Sequence, residues 1–520
     1  MTAGSDRHVL ISVYDKSGLA DFSRSLAKLG FTLLSTGGTA TLLKEAGIPV
    51  TGVEDFTGSP EILSGRVKTL HPKIHGGILF DRQNPEHVKE CKAQGIKAID
   101  LVVVNLYPFA KEARDKNLPL EKAIEYIDVG GPTMLRAAAK NFANCAAIID
   151  PEDYPDVIRE LETSGAITLD LRRKLAAKVF AATAAYDRMI ADYFSAVAHE
   201  NNSTQPKSLN LNLALLKPLR YGENPHQQAG FYAASPAQGL AACDVLHGKE
   251  LSYNNLIDVD AAWALMSDFR DVTAAAIIKH TNPCGTAAST SESLAKVFQR
   301  ALDADPKSAF GGIVAVNRTL DKATAAIIAQ HFFECIAAPD FDQDALTILK
   351  EKKNLRLIKT NVSRGEQMQL RTIAGGVLMQ TEDRSSLDKA RWKVAGTKKP
   401  TEAELAELEF AFTVAKHVKS NAIVFSKYLT TVGVGAGQMS RIDAVNFAAI
   451  KAKECGKELK GSVMASDAFF PFRDCVDLAA GLGVVAIVQP GGSMRDEESI
   501  QAANEHGISL VFTGERHFRH

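Results

Sequence analysis

Residues 8–38 read HVLISVYDKSGLADFSRSLAKLGFTLLSTGG, and the spacing of their apolar side chains sets the expected fold class. Residues 8–14 form an apolar, β-rich run that stops at Asp15-Lys16-Ser17-Gly18, which reads as a strand followed by a turn. Leu19, Phe22, Leu26 and Leu29 then recur along one face of a helix, and Gly30 supplies the stop. FTLLS (31–35) is a second strand, running into Thr36-Gly37-Gly38-Thr39 and a short helix closed by Gly47. Ile48 to Val53 reads as a third strand, and DLVVVNLYPF (100–109) as another that ends in a polar loop. Strands alternating with helices make parallel βαβ units with right-handed crossovers. Ligands in such sheets sit beyond the carboxyl ends of the strands, here the loops after residues 13, 34 and 104.

Alternation returns in the second half of the chain. AAAIIKH (274–280), GGIVAVN (311–317), NAIVFS (421–426), TVGVGAG (431–437), VVAIVQP (484–490) and ISLVF (508–512) are strand-like, with helical segments such as 401–419 and 440–455 between them. A long Ala-rich helix is expected over 171–198, and the polar, proline-bearing HENNSTQPKS (199–208) reads as a linker. The expectation is an α/β protein with one domain over 1–200 and a second over 201–520, the latter built from two α/β halves. A length of 520 residues agrees, at roughly 100–200 residues per domain.

Lys+Arg total 60 and Asp+Glu 61, a net charge of −1, which excludes a globally basic nucleic-acid coat and an acidic solvating tail. No apolar run approaches the roughly 20 residues that span a bilayer. MTAGSDRHVL lacks the cationic flank and apolar stretch of a signal peptide, so a cytoplasmic protein is expected. Seven dispersed cysteines with no C-x-x-C argue for reduced thiols.

Four segments carry candidate chemistry. Ser12, Lys16 and the Ser35-Thr36-Gly37-Gly38-Thr39 turn lie at strand ends before helices, where amides, hydroxyls and an ammonium form an anion cradle; the same residues are also ordinary caps and turns. RVKTLHPKIHGG (66–77) concentrates Arg66, Lys68, His71, Lys73 and His75, suited to a phosphate or carboxylate, or else a solvated basic loop. His71 and His75 have metal-like spacing, but Pro72 intervenes and no acidic third ligand is evident, so no metal is expected. DVGGPTMLRAAAKN (128–141) reads as a turn and then a helix, and the candidacy of Lys140 rests on the Asp128-Val129-Gly130-Gly131 turn bringing a carboxylate and free amides to the same end. In IIKHTNPCG (277–285), Lys279 and His280 end a strand and enter an Asn-Pro turn; adjacent cations favour a neutral imidazole able to accept a proton. GVGAGQMSR (433–441) has Gln438 where a dinucleotide fingerprint needs its third glycine, and Ala287 stands where a zinc deaminase needs its second cysteine.

Taken in order, RVKTLHPKIHGG, NLYPF (105–109), DVGGPTMLRAAAKN, LRYGENPHQ (219–227), IIKHTNPCG, SAFGG (308–312), GVGAGQMSRI (433–442) and SDAFFPFRD (466–474) resemble a bifunctional purine-biosynthesis family along nearly the whole chain. Its two activities are phosphoribosylaminoimidazolecarboxamide (AICAR) formyltransferase and IMP cyclohydrolase. The resemblance implies an N-terminal cyclohydrolase domain with a methylglyoxal-synthase-like fold, then a transformylase of two cytidine-deaminase-like α/β subdomains without the deaminase zinc. Carried onto matching positions, it implies a cyclohydrolase pocket of Ser12, Lys16, Ser35, Thr36, Gly37, Arg66, Lys68, Thr69, Asn105, Tyr107, Asp128 and Lys140. In the transformylase it implies catalytic Lys279 and His280, and an AICAR site of Arg220, Tyr221, His226, Gly311, Glu334, Asn421 and Arg441. Folate contacts would come from Ile442, Asp467, Phe469, Phe470, Gln489, Pro490 and Arg516.

The resemblance further implies that 10-formyltetrahydrofolate is a co-substrate, with no tightly bound cofactor or metal, and that AICAR, its formylated product FAICAR and IMP are the nucleotides handled. A homodimer with shared transformylase sites is expected, and no nucleic-acid or membrane partner. His280 would take the proton of the attacking amine, and Lys140 would act as proton donor or acceptor in ring closure, with Asp128, Tyr107 and Lys68 polarising the reacting groups. Two other classes fit parts of the pattern: a zinc-dependent nucleotide deaminase, and a non-catalytic nucleotide-sensing protein.

Overall fold

Strand β1 (Arg7–Ser12) is buried at its four middle positions because helices cover both faces of its sheet, which is why its sequence is a continuous apolar run. The computed structural model describes residues 7–116, 118–198, 208–234, 237–360, 368–385 and 387–520. Of the expected linker, all but Ser208 lies outside them. The chain divides into two units, Met1–Leu211 and Asn212–His520.

In the first unit β1 is joined by β2 (Phe31–Ser35), β3 (Thr51–Gly52), β4 (Leu101–Val104) and β5 (Ala146–Ile148), all parallel, in the order β3-β2-β1-β4-β5. The helices are α1 (Leu19–Lys28), α2 (Gly37–Glu45), α3 (Val53–Thr57), α4 (Pro72–Leu79), α5 (Pro85–Ala93), α6 (Leu120–Ala123), α7 (Gly130–Lys140), α8 (Tyr154–Ser164) and α9 (Leu169–Ala198). Val9, Ile11, Leu33 and Val103 pack against Leu19, Phe22 and Leu26 of α1 and Val157 and Leu161 of α8. Leu10, Leu34, Val102 and Val104 face Ile74 and Ile78 of α4, Met134 and Leu135 of α7 and Val179 of α9.

Two expectations need correcting here. The third strand covers only Thr51–Gly52: Pro49 has no amide for the ladder, and Val53 already opens α3 with Glu54 and Asp55 in its first turn. The basic segment 66–77 is not simply a loop. Pro72 starts α4, and the N-cap His71 accepts the Lys73 N–H on Nδ1 at 3.1 Å.

The second unit carries β6 (Ala214–Leu219), β7 (Ala229–Ala233), β8 (Asp244–His247), β9 (Thr273–Lys279), β10 (Asn282–Ser289), β11 (Ile313–Val316), β12 (Cys335–Ala338), β13 (Arg356–Lys359), β14 (Met368–Ile373), β15 (Gly376–Thr381), β16 (Lys393–Val394), β17 (Ile423–Ser426), β18 (Thr431–Gly435), β19 (Val463–Ser466), β20 (Ala486–Gln489) and β21 (Ser509–Phe512). Its helices are α10 (Tyr253–Asp268), α11 (Leu294–Ala304), α12 (Pro306–Ala309), α13 (Lys322–Ile328), α14 (Gln343–Lys350), α15 (Glu402–Ala415), α16 (Arg441–Glu454), α17 (Asp474–Gly481) and α18 (Asp496–His506). One six-stranded sheet runs β10-β9-β11-β12-β13-β8, and the other β18-β17-β19-β20-β21-β16. The two orders coincide strand for strand, and so do the senses: an antiparallel hairpin, a second antiparallel pairing, two parallel pairings and an antiparallel edge. The two halves are therefore repeats in topology, although no short sequence repeat marks them.

Helices α10 and α15 fill the space between the sheets. Val259, Leu265, Leu408 and Phe412 share one core with Ile278, Ala315, Val424 and Val488 from the inner faces of both. Strand and helix approach closely on the outer faces: a methyl group at Gly285 would sit 2.0 Å from Ala301 O, and one at Gly435 2.0 Å from Ala444 O. Gly433 and Gly435 of GVGAGQMSR thus serve helix–sheet packing.

At the C-terminal end of α10, Asp268 meets Lys416 at 3.1 Å and His417 at 2.7 Å, just beyond α15. Burial pushes the Asp268 carboxyl up, but the His417 hydrogen bond and the two neighbouring cationic groups outweigh it and hold it at about 2. A carboxyl lowered on folding stabilises the native state above its unfolded value near 3.8, and that contribution disappears as pH falls toward 2. Asp268→Asn is expected to lower unfolding free energy at pH 7 by roughly 1–2 kcal/mol. In urea titrations the variant and parent curves should converge between pH 4 and 2; a gap independent of pH would refute the ion-pair origin.

Candidate functional site

In the first unit the candidate residues collect at the carboxyl ends of β1, β2 and β4. Asn105, just after β4, accepts the Tyr14 and Asp15 N–H groups on Oδ1 at 2.6 and 3.0 Å and donates Nδ2 to Asp15 O at 3.0 Å. This fixes the loop after Ser12 that carries Lys16. Lys16 Nζ donates to Gly38 O at 3.3 Å. A methyl group at Gly38 would lie 3.5 Å from Lys16 Nζ, and one at Gly37 3.6 Å from Lys68 Nζ. Two ammonium groups therefore flank the first turn of α2, whose N-cap Thr36 makes no side-chain bond to its amides. An anion at that position would meet free N–H groups, the helix dipole and both cations. The Ser35 hydroxyl is committed elsewhere, donating to Ile11 O at 2.8 Å.

The second part of this site is the start of α7. Asp128 Oδ1 accepts the Gly131 N–H at 2.8 Å, and the Asp128 N–H donates to Tyr186 Oη at 2.8 Å. Burial raises the Asp128 carboxyl above its ordinary range; the Gly131 and Tyr107 backbone N–H groups and Lys68 pull the other way without cancelling it. Thr69 is buried, and its Oγ1 is 3.0 Å from where a methyl group on Gly130 would stand. Tyr107 packs edge-on against Tyr14, ring centres 5.5 Å apart. Arg66 pairs with Glu125 in the open, where such a pair adds little stability.

In the second unit the focus is the hairpin between β9 and β10, where Lys279 pairs with Asn282 and leaves a two-residue turn. Its residues His280 (φ 51°) and Thr281 (φ 63°) are both left-handed, the type I′ geometry that glycine or asparagine usually supplies. Asp258 of α10 accepts the Thr281 N–H at 2.6 Å. Asn282 donates to His280 O at 3.1 Å and accepts the Lys419 N–H at 2.9 Å. Lys279 Nζ donates to Phe310 O, and the left-handed Gly311 (φ 69°) lets the backbone come close: a methyl group there would lie 3.3 Å from Nζ.

Further partners surround this turn. Asn255 of α10 donates to Glu334 at 2.8 Å, and Asn254 to Glu223 O at 3.3 Å, which ties the 220–227 loop to the start of α10. Asn421 accepts Arg441 Nη2 on Oδ1 at 2.6 Å, and Arg441 in turn pairs with Asp467, both buried. A cavity of about 200 Å³ adjoins Lys279, lined among others by Cys284, Asp305, Thr431, Lys451 and Cys455. Burial pushes the Cys284 thiol up to about 12, so it is not a nucleophile at neutral pH.

A family model described as AICARFT/IMPCHase bienzyme matches residues 138–451, and one described as MGS-like domain matches residues 18–133. The bifunctional purine biosynthesis protein PurH of Persephonella marina is 51% identical over 524 residues, covering 99% of this chain and 100% of its own. That of Anoxybacillus flavithermus is 50% identical over 518 residues, again 99% of this chain and 100% of its own. The chain belongs to the AICARFT/IMPCHase bienzyme family. A solved chain, the crystal structure of ForH, is 38% identical; the match covers 37% of this chain and 100% of that one, at a TM-score of 0.33 that bears no weight for the fold.

The residues carried over from the bienzyme family differ in where the fold puts them and in how far they are buried. Lys140 is the last residue of α7, whereas Asp128 precedes its first turn; eleven helical residues put about 15 Å between the two ends. The expectation that Lys140 joins Asp128 at one end of the helix is not what the structure places there, and Lys68 is the ammonium beside Asp128. Phe470 is fully buried and Gln489, also fully buried, accepts the Phe470 N–H at 2.8 Å, so both hold the core rather than line a cleft. Asp467 is likewise enclosed, while Phe469 keeps 37% of its surface exposed. Ile442 packs on the core of the second half, Pro490 accepts the Gly514 N–H at 3.0 Å, and Arg516 lies over Phe518. Arg220 lies over the Tyr221 ring and His226 is exposed on the same loop. Asp258 and Asn255 escaped the sequence reading because they sit inside a helix, where acids and amides ordinarily face solvent.

The two phenylalanines separate core from surface. Phe470→Ala should cost about 3–5 kcal/mol of stability, the range for emptying a buried aromatic site. Phe469→Ala should stay within about 1 kcal/mol. Calorimetry on both variants checks this, and equal losses would contradict the placement of Phe470.

Proposed function

We propose that the two reactions of this family are divided between the two units: residues near 1–200 close the ring of the formylated nucleotide, and residues near 201–520 transfer the formyl group. As a bienzyme of purine biosynthesis, the chain takes formyl from 10-formyltetrahydrofolate to AICAR, giving FAICAR, and cyclises FAICAR to IMP with loss of water. The observation that carries the division is that each unit has its own set of cations and acid–base groups on its own sheet edge.

For transfer, the 5-amino group of AICAR is a weak nucleophile because its lone pair is delocalised into the ring and carboxamide. His280 accepts its proton as the nitrogen attacks the formyl carbon, and Lys279 stabilises the oxyanion or protonates the departing folate nitrogen. Arg220, Tyr221, His226, Gly311, Glu334 and Asn421 surround the nucleotide, and Phe469 offers an aromatic face to folate. Arg441, Asp467 and Gln489 shape the pocket from behind.

For cyclisation, the phosphate seats at the first turn of α2 between Lys16 and Lys68, with Ser12, Thr36 and Gly37 beside it. The carboxamide nitrogen attacks the formyl carbonyl, and water leaves. Asp128, its carboxyl raised by burial, and Lys68 are the groups placed to move protons there, with Tyr107 and Asn105 fixing the loops. The reaction is intramolecular, so holding a near-attack geometry supplies much of the acceleration.

A homodimer with shared transformylase sites is part of this reading. It is supported by the apolar side chains exposed on two hairpins, Leu215 and Leu216 on β6 and Leu370 and Leu378 on β14 and β15. No described helix is long and apolar enough to cross a membrane, in keeping with a cytoplasmic enzyme. Folate enters as a co-substrate, and neither step calls for a metal.

Two experiments on the full chain test the assignment. His280→Ala should lower formyl transfer about 10²–10⁴-fold with cyclisation unchanged. A folded variant with near-normal transfer would remove His280 from the mechanism. Comparing Lys68→Ala with Lys140→Ala in the cyclisation assay separates the two ammonium groups: the larger loss is expected at Lys68, and a larger loss at Lys140 would reverse the assignment.

A further inference from the structure

We propose that Asp258 is a positioning residue for formyl transfer, its carboxylate holding the backbone of His280 and Thr281 in the left-handed turn that presents the imidazole. The proposal rests on the reading of His280 as the base.

The strain of this turn lies at Thr281, which is β-branched and for which φ 63° is an outlier; histidine is one of the few residue types that enter this region more readily. Such a conformation persists only when its surroundings over-determine it. Asp258 supplies that constraint: Oδ1 accepts the Thr281 N–H at 2.6 Å, and the His280 N–H also bonds the carboxylate. The acid projects from α10, a helix buried between two sheets, so the turn is tied to the core of the unit.

The second half repeats the device on a turn without histidine. Between β17 and β18, Tyr428 (φ 58°) and Leu429 (φ 49°) form the equivalent left-handed turn. Glu407 of α15, the helix equivalent to α10, accepts the Leu429 N–H on Oε1 and Oε2 at 2.9 and 2.8 Å, and the Ser426 hydroxyl bonds it too. A helix-borne carboxylate is thus how this fold holds a hairpin turn of bulky residues. In one half the turn carries Lys279 and His280; in the other it carries Lys427, whose Nζ donates to Lys460 O at 2.9 Å, and Tyr428, with no imidazole. Glu407 is an internal control that isolates the catalytic consequence from the structural one.

The test uses the full-length protein with AICAR and 10-formyltetrahydrofolate. Asp258→Ala should reduce kcat for formyl transfer about 10- to 100-fold, the scale of a misplaced reacting group, with KM for AICAR changed less than about threefold and cyclisation unaffected. Asp258→Asn keeps an oxygen to accept the Thr281 N–H and should recover most of kcat; it also carries the test if the alanine variant does not fold. Glu407→Ala should lower the melting temperature without that drop in kcat. In a His280→Ala background, Asp258→Ala should cause no further loss. Full kcat in Asp258→Ala, a 100-fold loss in Asp258→Asn, or an undiminished effect in the His280→Ala background would each overturn the proposal. Full activity in His280→Ala alone would instead sink the base assignment on which it rests.

Discussion

Two left-handed turns of bulky residues, each tied to a carboxylate on a central helix, set the arrangement of the larger unit. A hairpin turn of this kind ordinarily needs glycine or asparagine, because a Cβ at positive φ crowds the backbone. Here the cost is offset by bonds that Asp258 and Glu407 accept from the turns, from their places on α10 and α15. Both helices are enclosed on both sides by apolar sheet faces. Burial of the helices, satisfaction of the acids and presentation of Lys279-His280 are therefore one coupled problem. The acids are costly to bury alone, which is why burial raises both Asp258 and Glu407, and backbone N–H groups offset much of that cost.

The smaller unit meets a different constraint with different means. Its parallel sheet aims the ends of β1, β2 and β4 at one edge, where α2 begins with unsatisfied amides. Lys16 and Lys68 add charge without pairing closely to any acid: the nearest contact between Lys68 and Glu61 is 4.0 Å. On the proposed reading, the repulsion between these two cations is what the nucleotide phosphate relieves. Asp128 stands beside it in a drier place, so one edge offers both a fixed cation pair and a carboxyl that holds its proton more readily than usual.

How much of this is legible in the sequence differs by kind of residue. Strands buried on both faces, such as FTLLS and AAAIIKH, announce themselves as apolar runs, and the helix over 171–198 by its length. Thr51–Gly52 did not, since a two-residue strand has no period to detect. The turn at His280-Thr281 carries no glycine, so nothing local marks its handedness, and the residue that enforces it lies 22 positions upstream. The duplication was invisible at the level of short repeats because topology, not residue identity, is what the halves share. Family motifs carried Phe469 and Phe470 together, yet neighbours on an extended backbone point to opposite sides, and only the fold says which is outside. The same limit applies to Lys140: proximity in sequence to Asp128 becomes separation along a helix.

On the proposed division of the two reactions, their chemistry accounts for how differently the units are built. Formyl transfer joins two molecules through a poor nucleophile, so a base and an oxyanion stabiliser must be placed to within fractions of an ångström of atoms supplied by separate ligands. A strained turn referenced to a buried helix is a way to obtain that precision on a loop. Ring closure brings together two groups of one molecule, and seating the phosphate already removes most of the freedom that opposes it. On that division, loops tied by Asn105 and a helix terminus hold the single ligand of ring closure, and the turn held by Asp258 serves the reaction with more entropy to overcome.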